Sequence, residues 1–215
     1  MIIDERMVTF INSMDKGNAP YLEEVYEEAV KNRVPVVRRE MQSFLKTLLL
    51  LSKPEKILEV GTAVGFSAML MAEYSDAHIT TIENYEKRIP IARENFKKYR
   101  FEDRIDLIEG DACEILKTLE GVYDLIFIDA AKGQYLNYLE AIKKLMKPGS
   151  VLVSDNVLQD GEIMESRYMV ERRDRTIHKR MREYLYVLKN DTDFRTSIIP
   201  LGDGITLSVM EDKND

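Results

Sequence analysis

Oxygen-bearing side chains follow two apolar runs of the sequence. Asp129 ends the run "LIFID", and Asp155–Asn156 ends the run "VLVSDN". Carboxylate and amide oxygens are the ligands that Mg²⁺ takes in proteins, and two carboxylates with one amide leave about three of its six positions open. Each of these residues could instead cap a helix, a common role of Asp and Asn. The three together predict a metal site.

A lysine, Lys132, lies three residues beyond Asp129. A lysine beside a divalent cation loses its proton more readily and can act as a general base, although a lone lysine after a strand is more often a solvated surface residue. His78 and His178 are far apart, and neither has the spacing of a zinc site. Cys113 is the single cysteine, which excludes an internal disulfide, and we interpret it as a packing residue of an apolar helix.

A glycine-bearing loop and an acid form a second candidate set. In "EVGTAVGFS", Gly61 and Gly65 permit a tight turn and a close approach of the backbone to a ligand. The loop has Ala63 where the dinucleotide fingerprint requires its middle glycine, which disfavours a diphosphate-binding loop. Glu83 ends the next predicted strand, where an acid can accept hydrogen bonds from both ribose hydroxyls. Gly61 and Glu83 together favour a nucleoside-containing ligand.

The elements that position these residues alternate along the chain. Short apolar runs that suit strands alternate with helical periodicity, which predicts βαβ units and a parallel sheet with helices on both faces. The carboxyl ends of parallel strands meet at one edge, so the acids at these ends should converge. Residues before position 56 are predicted to be helical, and "TSIIPLGDGITLSVME" predicts an antiparallel hairpin. The predicted strands are 56–61, 78–83, 105–109, 123–129 and 150–154.

The composition is that of an ordinary globular protein. The chain has 215 residues, of which 45% are hydrophobic and 32% charged, and this length suits a single domain. Its net charge of −7 argues against a general nucleic-acid binder. The N-terminus does not have the pattern of a signal peptide, and the leucine run 48–51 is too short to span a bilayer. We therefore expect a cytoplasmic protein with no membrane association.

The charge is distributed unevenly. Residues 165–182 contain seven Lys and Arg against three acids, so this stretch is +4 and the rest of the chain is −11. A basic helix is predicted near residues 167–190, and its residues Arg172, Arg175, Lys179 and Arg182 would share one face. This face could contact RNA phosphates. Alternatively, the helix is merely solvated, and its arginines pair with Glu171, Asp174 and Glu183.

Taken jointly, these motifs resemble those of the S-adenosylmethionine-dependent, divalent-metal-dependent O-methyltransferases of the catechol and caffeoyl-CoA type. The resemblance extends from Val36 to the hairpin at 200–210. It implies a Rossmann-like class I methyltransferase fold, with a seven-stranded, mostly parallel sheet, one antiparallel closing strand and helices on both faces. Residues 1–55 would form a helical lid and dimer element, and residues 56–215 the core, within one domain of residues 1–215. The motifs are "LEVGTAVGFS", "IEN", "GDA", "FIDAAK", "SDNV" and "PLGDG".

The resemblance also implies roles for individual residues. The metal, Mg²⁺ or else Mn²⁺ or Ca²⁺, would be held by Asp129, Asp155 and Asn156, and Lys132 would be the catalytic lysine. Ala131 departs from the family pattern, because many relatives carry an acid there. The cofactor-binding residues would be Val36 in the lid, Glu59, Gly61 and Ser67 at the methionine end, Glu83 at the ribose, Asp111 and Ala112 at the adenine, and Asp129.

The basic stretch is similar to that of bacterial tRNA 5-hydroxyuridine methyltransferases, which make 5-methoxyuridine at the wobble position. This similarity implies the tRNA anticodon region as a partner, and we also expect a homodimer. A 5-hydroxyuridine offers two neighbouring oxygens to a metal, as a catechol does, so a small phenolic substrate is an alternative. A non-catalytic nucleotide- or RNA-binding module is a further alternative, against which the metal set and Lys132 argue. A nicotinamide oxidoreductase is disfavoured by Ala63.

Overall fold

Seven strands form one sheet in the computed structural model, which describes residues 4–212. The order across the sheet is β3-β2-β1-β4-β5-β7-β6. The strands are β1 Lys56–Val60, β2 His78–Glu83, β3 Ile105–Glu109, β4 Leu125–Ile128, β5 Val151–Ser154, β6 Phe194–Ile199 and β7 Ile205–Met210. The first five pair in parallel, whereas β7 runs antiparallel to both of its neighbours, β5 and β6. The predicted mostly parallel sheet with one antiparallel strand is therefore confirmed.

Eight helices are found within residues 4–212. They are α1 Glu5–Ser13, α2 Pro20–Lys31, α3 Arg39–Ser52, α4 Phe66–Glu73, α5 Ile89–Lys98, α6 Ala112–Thr118, α7 Tyr135–Lys144 and α8 Arg175–Asn190. Short 3-10 turns occupy Lys132–Gln134 and Gln159–Met164. No helix in this part of the chain has both the length and the apolarity that a membrane span requires.

The sheet separates two apolar layers, which explains why the central strand β4 is apolar at every position. In β4, Leu125 and Phe127 face one layer, and Ile126 and Ile128 face the other. The first layer is covered by α2, α3, α4 and α5, and the second by α6, α7 and α8. A parallel strand buried on both faces has no solvent side, so its sequence does not alternate.

The basic helix begins later than the sequence predicts. The prediction of a helix from residue 167 is wrong, because α8 starts at Arg175 and residues 165–174 form successive turns. Side chains of α8 hold these turns by donating to their carbonyl groups, and Val170 is buried among them. Arg172 therefore lies outside α8 and does not share a helix face with Arg175, Lys179 and Arg182.

Candidate active site

Asp129 and Asp155 lie side by side at the carboxyl edge of the sheet. The Asp129 amide donates to the last carbonyl of β1, that of Val60, at 3.0 Å, and the Asp155 amide donates to the last carbonyl of β4, that of Ile128, at 2.9 Å. Each acid thus directly follows its own strand, β4 or β5, and is fixed by a backbone bond to the neighbouring strand. The backbone of the sheet, rather than a mobile loop, sets the spacing of the two carboxyl groups.

Asp155 is buried and Asp129 is half-buried, and this burial penalises the charged forms of both carboxyl groups. Burial, with repulsion from Asp129 added, raises the pKa of Asp155 to about 8. Burial also raises the pKa of Asp129, although a hydrogen bond from Asn156 and the charge of Lys132 oppose the shift. Two adjacent carboxylates that are costly to ionise become favourable when a cation binds between them. The donor set therefore fits a divalent cation.

Asn156 completes this set in a strained conformation. Its φ angle is +59°, in the left-handed region that asparagine tolerates better than most residues. Its amide nitrogen Nδ2 lies 2.9 Å from Asp129 Oδ1, and its backbone N–H donates to Asp155 Oδ1 at 2.7 Å. These two bonds hold Asn156 beside both carboxyl groups, and its side-chain Oδ1, the only acceptor of the amide, is the atom that it could offer to a cation. Among residues 4–212 no three His, Cys, Asp or Glu side chains cluster as a metal site, so the set depends on this amide.

Tyr135 supports both strand ends from below, and sequence reasoning missed it. Its hydroxyl lies 3.0 Å from the Asp155 carbonyl oxygen and 3.4 Å from that of Ile128. The side chain is 1% exposed, so these contacts satisfy its otherwise buried hydroxyl. Nothing in "QYLNYL" distinguishes this tyrosine from an ordinary core aromatic, since its helix position is apolar in either case.

A cleft of about 450 Å³ opens along the carboxyl edge of the sheet beside Asp129 and Asn156. It is lined by eight of the predicted residues, Val36, Gly61, Ser67, Glu83, Ala112, Asp129, Lys132 and Asn156. Asp111 is exposed outside it and caps α6 by accepting from the Cys113 amide, and Cys113 itself is half-buried. The lining also includes residues that the sequence did not indicate, chiefly Pro35, Val37, Tyr85, Arg88 and Tyr138.

Gly61 permits the contact between the loop after β1 and Asp129. Its φ is +105°, and a Cβ atom placed there would lie 2.1 Å from the Asp129 carbonyl oxygen. Any side chain at position 61 would therefore push apart the two strand ends that form the floor of the cleft. The sequence predicts that the backbone at Gly61 comes close to a ligand; in the structure it comes close to the backbone of Asp129.

Glu83 organises the wall of the cleft. Its carboxylate accepts from the backbone amides of Ala63 at 2.7 Å, Tyr85 at 2.8 Å and Asn84 at 3.0 Å. Ala63 adopts a left-handed φ of +48°, the conformation for which other loops use glycine. Because its amide is bonded to Glu83, it is not presented to a diphosphate. This agrees with the disfavoured dinucleotide interpretation.

Glu59 lies beneath the cleft and is not part of its lining. It is 0% exposed, and Thr81 Oγ1 donates to its Oε2 at 2.5 Å, whereas its Oε1 has no hydrogen-bond partner within the described residues. Burial raises the pKa of Glu59 to about 7, and Asp129 and Glu83 contribute by repulsion. Glu59, Glu83 and Asp129 together make this region suited to a positively charged ligand group.

A smaller cleft of about 250 Å³ adjoins the first one. Asp129 and Asn156 line both, and Asp155 lines only the smaller. The segment Pro35–Val37 borders both clefts as a common roof. An acceptor in the smaller cleft would thus meet a cofactor in the larger one beside the candidate metal ligands.

The basic residues of α8 and the turns before it differ in what they contact. Arg180 Nη1 donates to the carbonyl of Gly133 at 3.1 Å, so the start of α8 packs against the turn that carries Lys132. Arg175 and Arg182 donate to the backbone carbonyls of Val170 and Ile163. Arg173 forms ion pairs with Glu171 and Asp174. These two acids therefore pair with Arg173 and not with the four basic residues predicted to contact RNA. Arg172 and Lys179 are exposed.

Comparison with known proteins agrees with this geometry. The O-methyltransferase family profile matches residues 12–210. The chain is 33% identical over 128 residues to a catechol O-methyltransferase of Niastella koreensis, covering 57% of this chain and 58% of that enzyme. It is 34% identical over 182 residues to caffeoyl-CoA O-methyltransferase 1 of Eucalyptus globulus, covering 76% and 70% of the two chains.

The fold of a solved relative extends the match to nearly the whole chain. The SAH-bound methyltransferase PaMTH1 of Podospora anserina superposes with a TM-score of 0.87 at 30% identity, and the match covers 97% of this chain and 95% of that one. Its cofactor product agrees with the nucleoside-containing ligand that Gly61 and Glu83 favour. The chain therefore belongs to the family of S-adenosylmethionine-dependent O-methyltransferases.

Proposed function

We propose that this protein transfers a methyl group from S-adenosylmethionine to a hydroxyl that has a second oxygen beside it, with the help of a divalent cation. The observation that carries the proposal is the junction of the two clefts at Asp129 and Asn156. The larger cleft has an acid, Glu83, where a ribose would bind. The smaller cleft has the oxygen donors that would hold a cation and the paired oxygens of the acceptor.

The chain's own residues perform four tasks in this proposal. Glu83 accepts hydrogen bonds from the ribose hydroxyls, and Asp129, Asp155 and Asn156 hold the cation. Lys132 takes the proton of the attacking hydroxyl. The roof at Pro35–Val37 excludes water from the junction. The bound groups would supply an electrophilic methyl on a sulfonium and a positive charge that favours loss of the acceptor proton.

We propose 5-hydroxyuridine at the wobble position of tRNA as the acceptor, methylated to 5-methoxyuridine in the cytoplasm. Its 5-hydroxyl and 4-carbonyl supply the two neighbouring oxygens. The exposed Arg172 and Lys179 support this choice, because an acidic protein needs a local cationic surface to approach a polyanion. The corrected start of α8 reduces the predicted phosphate contacts, since Arg175 and Arg182 also hold the backbone in place.

A small catechol is the second candidate substrate. The names of the Niastella and Eucalyptus relatives favour it, and catechol oxygens have the same vicinal arrangement. A non-catalytic binding module would need neither the metal donors nor Lys132. The two enzymatic candidates differ in whether the acceptor carries phosphates.

Nucleoside mass spectrometry of tRNA tests the assignment. A strain that lacks this protein should lose 5-methoxyuridine and accumulate 5-hydroxyuridine, and the wild-type gene should reverse both changes. The Lys132→Met gene should not restore the modification. Unchanged 5-methoxyuridine in the deletion strain, together with methylation of catechols by the purified protein, would favour the second candidate.

A further inference from the structure

The turns between Gln159–Met164 and α8 display an apolar patch. Tyr168 is 86% exposed, Met169 76% and Met164 69%. No other large apolar side chain in residues 4–212 is as exposed as Tyr168. We call Met164, Tyr168 and Met169 the exposed patch. Side chains of this kind are normally buried, so their exposure in a group indicates a binding surface.

The backbone under the exposed patch is anchored. Ile163 and Val170, on either side of it, are 5% and 6% exposed. Three side chains of α8 bond to carbonyl groups of the same segment, namely Arg175 to Val170 at 3.1 Å, Arg182 to Ile163 at 3.2 Å and His178 to Glu165 at 3.2 Å. The patch residues therefore point outward because their neighbours in sequence are held inward, which is a fixed arrangement suited to a rigid contact.

Exposed acids, Glu162 and Glu165, flank Met164, whereas the exposed residues on the Tyr168 side of the patch are mostly basic. Arg167 is adjacent in sequence and exposed, as are Arg172 and Lys179, and none of the three makes an ion pair within residues 4–212. The nearby Glu171 is engaged by Arg173. The remainder of the chain is strongly acidic, so this is where an anionic partner is least repelled.

The segment that carries the exposed patch is linked to the proposed reaction site, since Asp160 Oδ1 lies 3.6 Å from Nη2 of Arg38, which lines the smaller cleft. This segment follows the 3-10 turn Gln159–Met164, which begins three residues after Asn156. The start of α8, which anchors the segment, is bonded through Arg180 to the turn that carries Lys132. These links connect the segment of the exposed patch to both the roof and the turn of Lys132.

We propose that the exposed patch is a stacking platform for an unpaired RNA base that flanks the nucleotide to be methylated, with Arg167, Arg172 and Lys179 contacting the adjoining phosphates. An aromatic face beside sulfur-containing side chains accepts any base, and cations at its edge match a sugar–phosphate chain. A protein partner would not require these cations. The inference rests on the proposed tRNA substrate.

Steady-state kinetics on an anticodon stem-loop that contains 5-hydroxyuridine test the platform. Loss of one base–aromatic stack costs about 1–3 kcal/mol, so Tyr168→Ala should raise KM roughly 5- to 150-fold with little change in kcat. Tyr168→Phe keeps the ring and should behave like the wild type. Tyr186→Ala is the matched control, because Tyr186 is 71% exposed on α8 but lies outside the exposed patch.

A fluorescent base reports the contact directly. With 2-aminopurine beside the 5-hydroxyuridine, binding to wild type should quench the fluorescence, and Tyr168→Ala should abolish the quenching. Methylation of free 5-hydroxyuridine nucleoside should be equal in wild type and Tyr168→Ala, since a nucleoside has no flanking base.

The possible failures are distinguishable. If Tyr168→Ala methylates the stem-loop with the wild-type KM and retains the quenching, the platform is overturned and the tRNA substrate stands. If Tyr168→Ala instead changes the oligomeric state in solution, the exposed patch is a protein interface and the platform is overturned. If the wild type methylates catechols but no hydroxyuridine RNA, the proposed function and the platform fail together.

Discussion

Three carboxyl groups with raised pKa values, those of Glu59, Asp129 and Asp155, lie within one region of the molecule. Burial is the first cause of each shift, and mutual repulsion adds to two of them. Their charged forms therefore gain from a positive partner. A divalent cation and a sulfonium both supply positive charge, so the same electrostatic property suits both proposed ligands.

We expect Asp155→Ala to abolish methyl transfer and to leave the fold intact. Loss of one of two carboxylates weakens the binding of a small hard cation sharply. Mg²⁺ should raise the melting temperature of the wild type, because a ligand that binds only the folded state stabilises it, and should have no effect on the variant. Asp124→Ala is the control. Asp124 directly precedes β4, at the end of the strand away from the clefts, and pairs with Lys147. Full wild-type activity in excess chelator would contradict the metal hypothesis.

Lys132→Met should lower the rate by about 10²–10⁴-fold, the usual cost of losing a general base. The binding of S-adenosylhomocysteine, measured by calorimetry, should be unchanged. The defect should shrink as pH rises, because more of the acceptor hydroxyl is then ionised without help. A defect of the same size at every pH would mean that Lys132 positions the acceptor instead.

Glu59→Gln tests the buried acid. The folded-state pKa of Glu59 is about 7, above its ordinary value of 4.5, so wild-type stability due to this group is present at low pH and is lost as pH rises towards 7. Between pH 5 and pH 8, ligand-free wild type should lose roughly 2–3 kcal/mol of unfolding free energy relative to Glu59→Gln. Urea unfolding of both proteins at the two pH values measures this difference, and parallel pH profiles would exclude an unusual pKa.

At the level of elements, the alternation of strands and helices was predictable from the sequence because each βαβ unit is local. The same holds for Asp129 and Asp155, since parallel strands bring their carboxyl ends together whatever the details of packing. Pro90 lies in the first turn of α5, where its missing N–H and fixed φ are tolerated.

Features that depend on contacts between distant segments could not be predicted. The run "VERRDR" contains good helix formers, yet side chains of α8 bond to the carbonyls of this region and burial of Val170 bends it into turns. Glu59 matches a cofactor motif, but its strand position places it under the cleft floor. Tyr85 and Arg88 carry no signal of their own and reach the cleft only because Glu83 orders the loop that follows β2.

The residue that follows the roof segment bonds to a distant turn of the sheet. Arg38, which follows Pro35–Val37, donates to Asp203 in the β6–β7 turn at 2.9 Å. Because Arg38 is 40% exposed, its contribution to overall stability is small. We expect this contact instead to fix the position of the roof over both clefts.

Arg38→Met should therefore weaken the binding of S-adenosylhomocysteine about fivefold, corresponding to roughly 1 kcal/mol, while the melting temperature changes little. Calorimetry and limited proteolysis at the roof measure the two effects. Arg39→Met is the control, since Arg39 pairs with Glu23 within the N-terminal helices and does not reach the β6–β7 turn. Equal cofactor affinity in the wild type and Arg38→Met would show that the roof closes without this contact.

On the scale of the whole molecule, α1 leaves an apolar face exposed. Met7, Phe10, Ile11 and Met14 recur at three- and four-residue steps and are between 48% and 63% exposed. A hollow beneath α1 is lined by Val8 and Asn12 together with the roof residues Pro35 and Val36. We propose that this face packs against a second copy of the chain. The dimer surface would then adjoin the roof of the clefts, and residues 1–55 would form both the lid and the dimer element.

Phe10→Glu should then convert a homodimer to a monomer, measured by light scattering after size exclusion. A charge buried in the centre of an apolar interface has no partner and is costly. Because a stable dimer needs about 1,200–2,000 Å² of well-packed surface, loss of packing around Phe10 should separate the two copies. Leu51→Glu is the matched control, because Leu51 is 79% exposed at the end of α3 and should tolerate the charge. Since α1 shares its hollow with the roof, the monomer should also bind S-adenosylhomocysteine more weakly. A wild-type monomer, or a Phe10→Glu dimer of unchanged mass, would contradict the proposed interface.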